Sequence, residues 1–248
     1  MDSIDPHKPV NSLAFFASEP HACSYLDGRT AVSLFADPTV SMTMPVYSRL
    51  ADYGFRRSGS HIYAPNCPHC QSCIPIRLPV DQFKPNRSQQ RVLKKNSSLT
   101  VKCLPAVYNQ EHYEMYQRYL SYRHAGSSME NPSVDDYIKF LSSDWSETYF
   151  YEFRENSRLV AITVADKLTQ GLSAVYTFFE PDVAMNSPGT FAILWLVQEA
   201  QSLQLRSVYL GYWIPNCRKM QYKSRFNPAE IFTNGRWIAL SDYHLKNI

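Results

Sequence analysis

No apolar run among the 248 residues approaches the roughly 18 that a membrane-crossing helix needs, so no span is expected. The opening stretch, MDSIDPHKPVNSLAFF, carries Asp2 and Asp5 before its first lysine and has no long apolar segment, so it is not read as a signal peptide. These two absences place the chain in the cytoplasm. There its six cysteines are thiols or metal ligands and not disulfides. Net charge is also scarce: a formal +3 excludes a histone-like or purely electrostatic binder, and any nucleic-acid contact must come from local patches. No internal repeat and no low-complexity tract is present. What the chain does have is apolar and aromatic mass, 44% hydrophobic with 17 tyrosines, enough for a substantial core and large half-polar surfaces.

A second kind of absence marks one stretch. From Lys84 to Lys95 there are Lys84, Arg87, Arg91, Lys94 and Lys95 and not one acid. The helix predicted over Asn86 to Asn96 puts Arg87, Arg91 and Lys94 or Lys95 on one face, with Val92 and Leu93 on the other. A lone charge run is by default a solvated face; with no acid to oppose it, this one is assigned to phosphate contact. Just before it lie Cys67, Cys70 and Cys73, at C-x-x-C-x-x-C spacing in a loop marked by Pro65 and Pro68. With Cys23 they make four thiols, enough for tetrahedral zinc or an iron–sulfur cluster, and His69 is an alternative ligand. The bland reading is a set of reduced cysteines without metal, which is how Cys103 and Cys217 are read.

Punctuation and periodicity divide the chain near Pro105. Residues 1–104 read as a smaller cysteine-bearing α/β unit, with an arm over 1–20, a short helix over Met44 to Tyr53 and extended segments around it. Residues 105–248 read as two helices (Asn109 to His124, Val134 to Leu141), then an antiparallel meander of three strands (Glu147 to Arg154, Arg158 to Asp166, Leu172 to Phe179). There follow an apolar helix, Thr190 to Leu203, a buried strand, Val208 to Ile214, a short helix, Asn216 to Arg225, and a strand pair about Asn234-Gly235. The class is α+β. The order matches the acetyltransferase-like (GNAT-type) fold, a mixed central sheet with flanking helices that splays open to admit an acyl donor.

Once both halves are read, the chain resembles the arginyl-tRNA–protein transferase family, most closely its bacterial, leucine-transferring branch. The resemblance is carried by Cys23 and Tyr25, Phe55-Arg56-Arg57-Ser58-Gly59 with Tyr63 and Pro65, and Cys67, Cys70, Cys73 and Arg77. Further on it is carried by Ser88, Gln89, Arg91, Val92, Leu93 and Asn96, then Tyr176-Thr177-Phe178-Phe179-Glu180-Pro181 and Leu210-Gly211-Tyr212-Trp213-Ile214. Lys219, Met220, Tyr222, Lys223, Phe226 and Pro228 complete it. It implies an enzyme that moves leucine from leucyl-tRNA to the α-amine of proteins beginning with Asp or Glu, creating a degradation signal. Its partners would be charged tRNA and acidic N-termini, with no membrane and no cofactor needed for the chemistry. Two departures stand out. The arginine-using branch has C-x-x-C where this chain has Cys23-Ser24-Tyr25-Leu26, and the bacterial branch has Asp where this chain has Glu180.

Aminoacyl transfer from an already activated ester needs a neutral amine, an oxyanion donor and alignment. On this reading Glu180 is the candidate base, with Tyr176 and Tyr212 as oxyanion donors. An acidic side chain calls for Arg or Lys in a pocket; Arg77 stands first, then Arg56, Arg57 and Lys223. Arg218, Lys219, Lys223 and Arg225 form a second acid-free basic cluster, assigned with Tyr222 to the tRNA acceptor end. Two other classes compete: a coenzyme A-dependent N-acetyltransferase, and a non-catalytic metal-bearing RNA-binding module. Against the first, Asn186-Ser187-Pro188-Gly189 offers one glycine where a pyrophosphate loop needs several. The thiol reading predicts that anaerobically purified protein carries zinc, or iron with acid-labile sulfide, and loses it on acidification or on Cys70→Ser. Full activity and an unchanged unfolding transition without any metal would reduce the cysteines to packing.

Overall fold

The structure, a computed structural model, describes residues 13–123 and 131–243. The arm expected over 1–20 therefore enters it only from residue 13, and the C-terminal end of the helix expected to reach His124 also lies outside the described residues. Short strands open the chain, Phe15–Ala17 (β1), His21–Ala22 (β2), Thr30–Ala31 (β3) and Ser33–Ala36 (β4). The helix Met44–Asp52 (α1), the hairpin Arg56–Ser58 (β5) and His61–Pro65 (β6), and the strand Ile74–Pro79 (β7) come next. Then follow Arg87–Lys95 (α2), Thr100–Pro105 (β8), Gln110–Arg123 (α3), Val134–Leu141 (α4), and the strands Thr148–Glu155 (β9), Arg158–Leu168 (β10) and Gly171–Phe179 (β11). Pro188–Ser202 (α5), Ser207–Trp213 (β12), Glu230–Thr233 (β13) and Arg236–Ala239 (β14) finish it.

Local chemistry explains the helix ends. Asn86 caps α2 by accepting from the backbone N–H of Ser88 and Gln89 while the Gln89 side chain accepts from the Asn86 N–H, a reciprocal box. Ser133 and Asp136 close the same box on α4, with Asp in the place Glu or Gln prefers. Pro45 sits in the first turn of α1, where its missing N–H costs nothing. The segment expected as a helix over Asn216 to Arg225 is instead bends ending in a 3₁₀ turn, Gln221–Arg225.

Two main sheets result. Residues 15–65 form a four-stranded sheet in the order β1-β4-β6-β5, and an eight-stranded mixed sheet runs β14-β13-β7-β12-β11-β10-β9-β8. The meander β9-β10-β11 pairs antiparallel as expected. The division near Pro105 does not separate two sheets: β7 lies between β12 and β13, and β8, not expected as a strand, pairs with β9 at the far edge. The apolar alternation of Ile74, Ile76 and Leu78 buries that strand among residues contributed from far down the chain. One face of the large sheet carries α5, with Val92 and Leu93 of α2 packed on the same core. The other face carries α3 and α4 over β9 to β11. A third core joins α1 and the small sheet to Leu168, Tyr209 and Trp237.

The third core holds a fully buried ion pair. Arg57 donates from Nε and Nη2 to the two oxygens of Asp166, each at 2.7 Å, with both side chains at 0% exposure. Arg57 also donates to the carbonyls of Gly59 and Leu141, and Asp166 accepts from the hydroxyls of Tyr47 and Thr148. Such a pair is worth little against a well-packed apolar replacement, but removing one partner leaves the other charged and buried. Arg57→Met should therefore destabilise by about 3–5 kcal/mol in urea unfolding, and Arg57→Met with Asp166→Leu should recover most of that loss. Equal destabilisation in the single and the double variant would show that the pair's hydrogen-bonded surroundings, and not its charge balance, set the cost.

Candidate active site

In the large sheet β11 and β12 are the one parallel pair among the described residues, and they pair only over Gly171–Ser173 and Ser207–Tyr209. Beyond those three rungs the strands part, leaving a split at their carboxyl ends. Ligands of open sheets bind at the carboxyl ends of parallel strands because backbone groups there have no neighbour. Here the vertex of the split is filled from the small sheet. Arg56 Nη1 donates to Ser173 Oγ (3.0 Å) and to the Tyr209 carbonyl (3.5 Å), and Nη2 donates to the Ala174 carbonyl. These placed donors leave the Nε–H and one Nη2 proton, a pair that a carboxylate accepts side-on. Gly211 makes room for it: its φ is +80° in the bulge of β12, and a Cβ there would stand 3.3 Å from Arg56 Nε.

Lys223 meets the same place from the 3₁₀ turn. It is 6% exposed, and its Nζ donates to the Tyr212 carbonyl at 2.7 Å. Burial, reinforced by the Arg56 charge, pushes its ammonium down to about 7. Neither cation has a carboxylate within ion-pair distance among the described residues. Arg56, joined by Lys223 whenever the latter is protonated, makes a partly buried cradle for an anion.

The other expected site residues are placed elsewhere. Arg77 is already engaged: Nε meets Glu230 at 2.7 Å, Nη1 meets Asp52 at 3.4 Å, and the guanidinium lies 4.3 Å over the Trp237 ring. It ties α1 to the last hairpin. Arg57 is corrected likewise, since its charge is spent on Asp166 inside the core. The Tyr212 hydroxyl donates to the Gly54 carbonyl at 3.0 Å, with the Tyr63 carbonyl at 3.3 Å, so it is a brace between the sheets and not a free oxyanion donor. Tyr176 packs among Tyr116, Tyr119 and Phe140, and burial raises its phenol. Glu180 ends β11, 9% exposed, with Arg118 of α3 forked on both oxygens at 2.6 to 3.2 Å. It stands six positions after Ala174, roughly 20 Å along an extended strand from Arg56. The structure does not bring the expected base and the expected cations together.

The two basic segments, by contrast, do meet. Gln89 of α2 donates to the Arg225 carbonyl at 3.2 Å, and Phe83 stacks on Phe226 with centroids 6.4 Å apart. Arg87, Arg91, Lys94 and Lys95 are therefore joined to Arg218, Lys219 and Arg225, all of them exposed, with Tyr222 beside them at 38% exposure. Sequence reasoning missed Arg118, which carries no local signal beyond its place on an amphipathic helix, and also Cys217. That thiol is buried, and with Cys23, Cys67 and Cys70 it lies close enough to Cys73 to act on it. Burial and these neighbouring thiols push Cys73 up to about 12. The donors are of the right kind for a thiophilic ion. Yet Cys67 Sγ points to the Val32 carbonyl and Cys70 Sγ to Ser72 Oγ, and among the described residues no set of three ligands is gathered for a metal.

Residues 21–91 match the family description "Arginine-tRNA-protein transferase, N terminus" and residues 111–233 match "Arginine-tRNA-protein transferase, C terminus". The chain is 50% identical over 228 residues to an aspartate/glutamate leucyltransferase of Pseudomonas syringae pv. tomato, covering 92% of this chain and 97% of that one. It is 48% identical over 229 residues to the protein so named in Pseudomonas fluorescens, with the same coverage. Among solved structures, L-PGS from Bacillus licheniformis aligns over 83% of this chain and 70% of its own at 11% identity and a TM-score of 0.43, too loose a likeness to carry an argument. With both of its halves matched and such identity along nearly its whole length, the chain belongs to the arginine-tRNA-protein transferase family.

Proposed function

We propose that this chain transfers leucine from leucyl-tRNA to the α-amine of proteins whose first residue is Asp or Glu, exposing an N-terminal leucine as a degradation signal. The observation that carries the proposal is the cradle at the split of β11 and β12, where Arg56 and Lys223 face an opening without an acid to neutralise them. An incoming Asp or Glu side chain supplies the missing charge: Arg56 takes the carboxylate through its remaining N–H pair, and Lys223 is held in its charged form by the bound anion. A neutral N-terminal residue leaves both cations unpaired, which is the penalty that enforces selection. On this reading the sheet that parts after three rungs serves as an acetyltransferase-like split, with the acyl group of the donor lying in it.

The joined basic face of α2 and the 3₁₀ turn lies on the α5 side of the sheet and receives the tRNA phosphates, with Tyr222 placed to stack on a base of the acceptor end. Attack by the α-amine on the ester carbonyl forms the new C–N bond and breaks the bond to the 3′-oxygen of the tRNA. The proton lost by the amine ends on that oxygen, so the step needs no net proton acceptor. An α-amine has a pKa near 8, and a useful fraction is neutral at physiological pH without a strong base. Glu180 is accordingly assigned to the rim of the split, where it fixes Arg118. The cysteines have the donor chemistry for a structural ion that would fasten the Cys23 arm to the loop but are not gathered around one place among the described residues, and no step of the transfer is routed through it.

Two outcomes test this. Arg91→Glu with Lys94→Glu should weaken leucyl-tRNA binding and flatten its salt dependence by about two charges' worth of slope, while KM for the acceptor stays put; unchanged affinity at every salt concentration would remove the tRNA assignment. Lys223→Met should raise KM for peptides beginning with Asp or Glu at least tenfold. The same variant has a stability signature. Lys223 is lowered in the folded state, so the unfolded chain binds more protons between about pH 7 and the ordinary lysine value. Native stability therefore carries the full penalty of the buried charge below that window and is relieved of it as pH rises through it. Lys223→Met should thus raise Tm more at pH 6 than at pH 10.

A further inference from the structure

The small sheet carries a row of side chains that starts at Arg56 and whose other three members the transfer chemistry leaves unused. Register places Arg56 of β5 opposite Tyr63 of β6, Tyr63 opposite Phe35 of β4, and Phe35 opposite Phe16 of β1. Directly opposite residues of antiparallel strands project from the same face, so these four form one line across the sheet. The line begins at the split and ends at the edge strand. Its rings follow one another: Phe35 and Tyr63 stand 6.0 Å apart, and Tyr63 stands 6.3 Å from Tyr212 of the large sheet. At its outer end it opens into an apolar groove of about 660 Å³, walled by Phe16, Phe35, Pro38, Thr39 and His61. Phe16 is 54% exposed there, a large ring left in water.

We infer that this groove is a subsite for the acceptor polypeptide, taking an apolar side chain a few residues downstream of the acidic N-terminus. The inference rests on the transferase reading and names a second determinant of its acceptor. Three features select the occupant. Register carries the line from the cradle that holds the first residue to the groove, so a chain leaving Arg56 runs toward the groove along the direction of the row, whose middle member Tyr63 is itself partly buried. The basic surface lies across the large sheet, on the α5 side, and the groove offers no cation to a phosphate; its one charged wall residue is Asp37. The span also fits. Three strand-to-strand steps of about 4.8 Å make roughly 14 Å, which an extended peptide covers in about four residues. The groove should therefore be read by the side chain at about position four or five, through burial against Phe16 and Phe35.

The test uses the full chain, leucyl-tRNA as donor, and three acceptors: a two-residue Asp-Ala amide, and two eight-residue peptides starting with Asp that carry either Leu or Ser at positions four and five. The expected result is a KM at least fivefold lower for the Leu peptide than for the Ser peptide. Phe16→Ser, at an exposed edge position, should bring the two KM values together. Thr39→Trp, which fills the groove from its rim, should do the same, and the unfolding transitions of both variants serve as fold controls. A wild-type ratio near one, or a ratio that survives both substitutions, overturns the inference and leaves the transferase reading intact. A change in KM for leucyl-tRNA with the peptide ratio unmoved assigns the groove to the donor and overturns it as well. Failure of the wild-type chain to leucylate even the two-residue acceptor overturns the transferase reading itself, and the subsite with it.

Discussion

Successive residues of a strand point to opposite faces, and in β5 two arginines occupy successive positions. One of them, Arg57, is locked to Asp166 in the core, with Tyr47, Thr148, Gly59 and Leu141 completing its bonds. Because that side chain cannot turn, its neighbour Arg56 is aimed the other way, at the vertex where β11 and β12 part. The ion pair thus orients the cradle without belonging to it. It also joins three segments far apart in the chain, the β5 hairpin, the end of α4 and strand β10, so that the small sheet is fixed against the large one at the place where the site requires it.

The same economy governs the basic surface. Neither basic segment can build a phosphate-binding face alone, since α2 shows one stripe of charge and the 3₁₀ turn is too short to be stable by itself. Gln89 and the Phe83–Phe226 stack join them, using one amide and two rings drawn from positions that local charge patterning would pass over. In the turn, alternation within a few residues buries Lys223 beneath Tyr212 while Arg225 stays in water and Tyr222, 38% exposed, turns its hydroxyl inward toward Arg56 and Tyr119. One short segment therefore serves both sides of the split.

Much of this was legible in the sequence wherever the signal was local. The helices followed from apolar periodicity, from Pro45 in the first turn of α1 and from the Ser133 cap of α4, and the meander followed from strand runs broken by Glu155-Asn156-Ser157 and Gln170-Gly171. Long-range pairing was not legible. Pro75 and Pro79 argue against a central strand, yet β7 is central; β13 bonds only to Ile76 and Arg77, so both prolines fall outside that short ladder. Arg77 read as a ligand for a carboxylate and is one, but its partner is Glu230, 153 positions away. Arg57, Tyr212 and Glu180 were assigned chemistry for their residue type and are held by Asp166, the Gly54 carbonyl and Arg118, none of which lies near them in the chain. Arg56 and Lys223 are distinguished from them only by what they lack, and an absent partner leaves no mark in a sequence.

The split of the large sheet lies between the basic surface and the small sheet, and this bears on the order of events. The basic surface lies on the α5 side and the small sheet on the other, so a donor held by the one does not have to leave before an acceptor held by the other arrives. The groups near the vertex are poorly suited to hold leucine covalently in the meantime: the Ser173 hydroxyl is bonded to Arg56 and Tyr47, and Cys73, which lies near Lys223 together with Cys217, is pushed up by burial and so kept from its nucleophilic thiolate form. A gap between two strands that receives both partners at once is built for direct hand-over inside a ternary complex. Its kinetics would be sequential, and mixing enzyme with charged tRNA alone would release no burst of free tRNA.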